Sequence, residues 1–531
     1  MTDALCRSWL DLLGHFDPGQ HPPGGAGRLG RFDPASVREF LAAARAIAGA
    51  IEELPVEEVA DEIDRTALLG EVRHRIARLE HDQPHVRNPG FWLDHLGLAL
   101  FRLHQPGTDP GLRAEQVLDR LRTVPEFLTA ARETIRRPPL ELAAGAIAMT
   151  PGLVELVHAL VERYQPLLDD SPGELAAAAT LADAAITRFR MALGAEIAPD
   201  EDPHAAGVGE DRYGWILHHH FMLRPSAGEV WRWGRTLAAQ VEEEITGIAA
   251  EIDPGRPWRD VYESLREDGL VTGDLLAEAI QALGRLRGDL DSLDLVTPRA
   301  GEIAVREAPA WLATHAPFTV YEPPDEPGPS PTGWIHLAAP SAPADPETAA
   351  WQRGELDRHR LAVLAAHDGW PGRHTQALAA LATSSLVRRT IASPLTVAGW
   401  GCYAEELMVE AGPLAGPADR LAQRVLLLIR ALRVTVDAGI HGRMLTPAAA
   451  VDLLMERVPM DHHAAVAEVR RACAEPGAAA AYALGRREIL ELRADWRRGS
   501  GSGVPLRDFH EAVLAHGRLP VSLVRWGMGV E

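Results

Sequence analysis

Helix-forming residues run through this chain with few breaks, and that property limits the folds open to it. Alanine, leucine, glutamate and arginine dominate, and long alternating Val/Ile/Thr runs are nearly absent. Apolar positions recur at helical spacing over residues 37–50, 60–80, 92–103, 112–124, 128–136, 139–148, 153–168 and 173–191. The pattern resumes at 226–250, 258–266 and 275–290, and again from Glu347 nearly to the end. It lapses at 295–345, where Pro298, Pro309, Pro317, Pro323, Pro324, Pro327, Pro329 and Pro331 interrupt it. Residues 301–307, 318–321 and 333–337 carry strand patterning there. The expectation is a mainly α protein: a large helical body with a deep cleft, walled on one side by a small antiparallel β element. It divides into an N-terminal helical part, 1–294, a proline-rich segment, 295–345, and a C-terminal helical part, 346–531.

Charge and cysteine use narrow the function classes. The chain has 53 Lys and Arg against 75 Asp and Glu, a net charge of -22, and no basic run that would follow phosphates. This argues against a nucleic-acid partner. Cys6, Cys402 and Cys473 are too few for a disulfide framework and suit a reducing compartment. The start lacks a long apolar run behind basic residues, and the apolar stretch 142–154 is too short for a membrane span. A cytoplasmic protein without a membrane partner is expected.

Chemistry concentrates around His367-Asp368-Gly369-Trp370-Pro371-Gly372-Arg373-His374. On a straight helix His367 and His374 would lie about 10.5 Å apart along the axis, too far to share an ion. Pro371-Gly372 bends the chain and shortens that gap. Glu405, with Glu406 beside it, offers a carboxylate on a downstream amphipathic segment. His367, His374 and Glu405 are thus candidate zinc ligands with an open water position, and Asp368 a base for that water. Asp437 and His441, four apart, share a helical face, as an imidazole and its orienting carboxylate or as a pair holding two helices. Arg430 and Arg433 lie on one side and either hold a substrate carboxylate or pair with acids of the cleft. Tyr482 is an oxyanion donor or a packed tyrosine. The run His218-His219-His220 points in different helical directions and reads as a polar surface or cleft segment.

These blocks resemble the DUF885 family, bacterial proteins related in fold to helical zinc carboxypeptidases with a long cleft. The family signature H-E-x-x-P-G-H-H falls on 367–374, and its Gly-Trp-Ala-Leu-Tyr-Ala-Glu block on 399–405. Its Arg-Ala-x-Arg-x-x-x-Asp-x-Gly-x-His block matches Arg430, Ala431, Arg433, Asp437, Gly439 and His441. Pro476-Gly477, Tyr482 and Gly485 match the next element, and 506–514 with Gly517 and Leu519-Pro520 the closing one. The resemblance implies a zincin-like peptidase fold and a zinc-dependent hydrolase of peptide or amide bonds, acting on a small peptide or amide-like molecule. Asp368 would be its base, with His441 or Tyr482 steadying the oxyanion and Arg373, Arg430 and Arg433 contacting substrate. The motif is degenerate here: Asp368 replaces glutamate and Arg373 replaces histidine. An aspartate carboxylate sits about 1 Å short, and a displacement of that order costs about a hundredfold in rate. Arginine has no lone pair for a metal. The alternative is therefore a family member that has lost the chemistry and binds a small molecule or peptide.

Overall fold

The computed structural model describes residues 1–18, 28–104, 109–168, 173–313, 318–324, 328–338, 356–501 and 503–530. Helices make up most of it, and their starts are chemically marked. Asp33, Asp109, Asp274, Asp357 and Asp461 each accept backbone N–H groups at a helix start, and Ser226 with Glu229 forms a reciprocal capping box.

The chain forms two compact units, and their boundaries differ from the three parts expected. One comprises 1–55, 69–208 and 309–315; the other comprises 56–68, 209–308 and 316–531. The main break, at 208–209, lies inside the stretch read as one N-terminal part, at the end of the loop 196–209, which carries Pro199 and Pro203 between two helices.

The first unit is organised by aromatic packing. Phe32 meets Phe16, Phe91 and Trp92 edge-on at 5.2, 4.8 and 5.6 Å between ring centres. The span Leu140–Leu167 is long and apolar enough to cross a membrane by length and composition, which corrects the shorter estimate from sequence. Within this unit it behaves as a core helix, burying Leu142, Ala146, Met149, Leu153, Leu156 and Leu160.

In the second unit the helix Ala227–Ile252 packs along Pro417–His441, and Pro394–Ala411 packs along Ala481–Ser500. The latter pair approaches closely at Gly399 and Gly485, where an added methyl group would strike the opposing backbone. This unit also carries a three-stranded sheet: β1 (Glu302–Glu307), β2 (Thr319–Glu322) and β3 (Thr332–Leu337), in the order β1-β3-β2. The sheet is mixed, not antiparallel as expected. β2 and β3 pair antiparallel, with Thr319 opposite Leu337, whereas β1 runs parallel to β3, with Glu302 opposite Thr332. The cause is connectivity: between β1 and β2 the chain passes through 309–315 instead of a hairpin turn, so β1 joins the far side of β3.

Candidate functional site

The signature bend is built from an under-wound turn. Helix Arg358–Leu364 runs into a π-turn at Ala365–Gly369, followed by a cis Trp370–Pro371 peptide and the new helix Arg373–Leu381. A side chain at Gly372 would collide with the carbonyls of Ala366 and His367, so the turn folds back more tightly than any other residue permits. The bend anticipated from Pro371-Gly372 is present, but it sends the two histidines to different neighbours.

His367 turns inward and is 3% exposed. Its Nδ1 lies 2.6 Å from Glu405 Oε1, so that nitrogen carries a proton and donates it to the carboxylate. Among the described residues Nε2 makes no hydrogen bond. The ring rests against Gly401, where a methyl group would come within 2.6 Å of it, and stacks on Tyr482 at 5.9 Å and 16°. Glu405 is held in turn: its Oε2 accepts from Arg430 Nη1 at 2.5 Å and from Gln423 Nε2 at 3.3 Å. Burial alone would raise the Glu405 carboxyl, but Arg430 and His367 outweigh it and hold the group below the usual carboxylate range.

His374 is fully buried elsewhere. Its Nδ1 is hydrogen-bonded to the Tyr321 hydroxyl of β2 at 2.9 Å, its ring meets Trp370 edge-on at 4.7 Å, and Gly333 of β3 leaves room for it. Burial, reinforced by Arg287, pushes its pKa down to about 3, so it is neutral. The donor cluster that forms among the described residues is His367, Cys402 and Glu405, with ligand atoms within 4.8 Å of one another. The expected trio of His367, His374 and Glu405 does not assemble, because the second histidine follows the new helix toward the sheet.

The observed cluster does not suit a metal ion. Arg430 Nη2 lies 3.4 Å from His367 Nδ1 while Nη1 engages Glu405, so the carboxylate of the cluster is already paired with a fixed cation. An added ion would share one carboxylate with it, at the repulsion expected between like charges in a buried site. Burial pushes the Cys402 thiol up to about 12, so it stays protonated in the metal-free protein.

The other candidates separate into two groups. Asp368 is buried beside the bend, and both its oxygens are engaged, by Thr319 Oγ1 at 2.6 Å and by Arg373 Nη1 at 3.2 Å. Arg373, offered as a substrate contact, therefore faces a carboxylate of the protein. Arg430 and Arg433 also take the protein-paired course, since Arg433 grips Glu468 in a fork at 2.7 and 2.6 Å. His441 is fully buried, its Nε2 on the Ala472 carbonyl at 2.9 Å and its ring stacked on Tyr213. Asp437 lies 3.9 Å from that imidazole and accepts instead from the Gly477 and Ala480 N–H groups at 2.9 Å each. That pair joins helices and does not reach the site.

Tyr482 does reach it. The guanidiniums of Arg433, Arg471 and Arg430 lie 5.2, 5.7 and 6.0 Å from its ring centre. Burial alone would raise its hydroxyl, yet Arg471, Arg433 and Arg373 together hold it below the ordinary tyrosine value. Sequence reasoning missed Arg471 and Glu468. Their signal was present: Glu468 falls at an apolar register position of the helix His462–Ala474, among Ala464, Ala465, Val469 and Ala472. A charge at such a position is a partner waiting for its counterpart.

Residues 13–528 match the family described as "Bacterial protein of unknown function (DUF885)". The chain belongs to the DUF885 family. Among curated proteins none matches it. Two solved structures share the DUF885 fold along nearly its whole length. One, from Shewanella oneidensis, is 20% identical with a TM-score of 0.76, covering 99% of this chain and 98% of that one. The other, from Colwellia psychrerythraea, is 17% identical with a TM-score of 0.81, covering 99% and 97%. Both are described as a "putative lipoprotein", and that description corrects the cytoplasmic setting expected from sequence.

Proposed function

We propose that this DUF885 protein is a binding protein that holds a small molecule or short peptide without a metal, having kept the family scaffold and lost hydrolytic chemistry. One observation carries the reading: Arg430 engages Glu405 and lies against the Nδ1 side of His367, so the carboxylate a cation would need already neutralises a fixed charge. The burial of Asp368, 1% exposed, supports it, since a general base must have a lone pair facing water. Metal analysis after dialysis against zinc, together with a peptide-hydrolysis assay, tests it. Zinc well below one equivalent and no turnover are expected. Near-stoichiometric zinc, with hydrolysis lost in His367→Ala, would overturn it.

The zinc-dependent hydrolase reading keeps one favourable observation. A carboxylate on Nδ1 with a free Nε2 is how proteins orient a metal-ligating imidazole, and Glu405 and His367 have that arrangement. In that case Asp368→Glu should raise turnover and Asp368→Asn abolish it.

A further inference from the structure

The second unit buries cations and carboxylates in pairs around Tyr482, and the pairing comes out one short. Arg373 is matched by Asp368, Arg430 by Glu405 and Arg433 by Glu468. Arg471 has no carboxylate of its own: it hydrogen-bonds to Tyr482, 5.7 Å from its ring centre, and shares the charge of Glu468 with Arg433. Asp437 does not supply the missing charge. Its oxygens are taken by two backbone N–H groups, and burial raises its carboxyl above the usual range. Four guanidiniums thus share three carboxylates, and an arriving anion would balance the fourth.

The surroundings supply the rest of a recognition site. Tyr482 and Arg471 are both partly exposed, so a solute can reach them. Arg373 is also partly exposed, while its Nε is buried and makes no hydrogen bond. Its guanidinium lies 5.3 Å from the Tyr321 ring of β2, on the same side of the bend as Asp368. The His367 ring, stacked on Tyr482, closes the floor. A planar or tetrahedral anion reaching this face would meet the Arg471 guanidinium, the Tyr482 phenol hydrogen-bonded to it and the partly exposed Arg373 guanidinium.

We infer that Arg471 and Tyr482 hold the anionic end of the ligand, a carboxylate or phosphate group, with Arg373 as an auxiliary donor. The inference rests on the binding reading above and names its ligand class. A carboxylate at a peptide C-terminus and a free phosphate share this chemistry and differ in source.

Isothermal titration of the full chain in a chelator-containing buffer separates them, using inorganic phosphate, alanyl-alanine and alanyl-alanine amide. Binding of the dipeptide but not its amide assigns a peptide carboxylate; binding of phosphate alone assigns a phosphoryl group. Charged hydrogen bonds contribute about 1.5–3 kcal/mol, so Arg471→Gln should weaken binding about 10- to 150-fold. No binding of any of the three at millimolar concentration, or affinity unchanged in a folded Arg471→Gln protein, overturns the site. Should Arg471→Gln fail to fold, Tyr482→Phe decides the matter. It keeps the ring on His367 and removes only the hydroxyl, so binding should fall about tenfold; unchanged affinity overturns the site. Repeating the titration with zinc distinguishes the two levels. Arg471-dependent binding that appears only with zinc removes the metal-free reading and leaves the anion site standing.

Discussion

The two units fill their interiors by opposite means. Around Phe32 the first unit packs ring against ring, with His95 and Asp17 as a buried polar contact at 3.0 Å. Between its long helices the second unit buries Arg430 with Glu405 and Arg433 with Glu468. Apolar packing needs no justification beyond stability. Buried ion pairs do, because hydrophobic residues of like volume are often as stable or more so. The contrast locates the part of the molecule shaped by something other than folding: the pairs surround His367 and Tyr482, at the proposed ligand site.

The largest expected effects break that contrast directly. Arg430→Ala strands the Glu405 carboxylate and should destabilise the protein by about 3–5 kcal/mol. Phe32→Ala opens a cavity and should cost a similar amount, about 3–5 kcal/mol. Second substitutions then separate the two. Adding Glu405→Leu to Arg430→Leu should recover much of the loss, because no unpaired charge remains, whereas no single partner of Phe32 can be removed to refill its cavity. Denaturant midpoints of the singles and the double measure this. A double variant no more stable than Arg430→Ala would show that the pair is not the origin of the cost.

A smaller effect depends on pH. His374 and His510 are both buried and neutral, burial pushing them down to about 3 and about 4. His510 accepts from the Tyr403 hydroxyl at 2.7 Å and its Nδ1 donates to the Leu295 carbonyl at 2.7 Å, a pattern open only to the neutral ring. In the unfolded chain both rings take up a proton near the ordinary value of about 6.5, while the folded rings do so only at lower pH. Their contribution is therefore complete above that value and is lost as pH falls toward 4. The slope is about 1.4 kcal/mol per pH unit for each histidine. His510→Gln should flatten the acid limb of the stability curve by one such increment; an unaltered limb would mean that the ring is already charged in the folded protein.

Much of this architecture was legible in sequence because helical spacing is a local signal. The Val72, Leu96 and Val117 registers each place an apolar face in the core, and the three strand patterns fell close to the observed β1, β2 and β3. Strand pairing was not legible, since it depended on the chain leaving the sheet through 309–315. At the site, the meeting of His367 with Glu405 could be anticipated from the family blocks. The departure of His374 could not, because a π-turn changes the direction of every side chain that follows it and no residue spacing records an extra residue per turn. Arg471 escaped notice for a different reason: only the three-dimensional census of carboxylates reveals it as the cation left over.

The smallest effect on stability bears most sharply on the contrast between units, because it asks what the ionic interior replaced. Arg373→His combined with Asp368→Glu rebuilds the family signature around the bend. The lost pair is partly exposed on the Arg373 side and Thr319 can still donate to the carboxylate, so the cost should be about 1 kcal/mol or less. Zinc content is the telling measurement. An imidazole at position 373 gives the bend a second lone pair beside the free Nε2 of His367, and zinc should rise from a trace toward one equivalent. If the double variant stays metal-free, the exclusion lies with Arg430 and not with the altered signature. Adding Arg430→Gln to it should then admit the ion, since the amide hydrogen-bonds to Glu405 without bringing a competing charge.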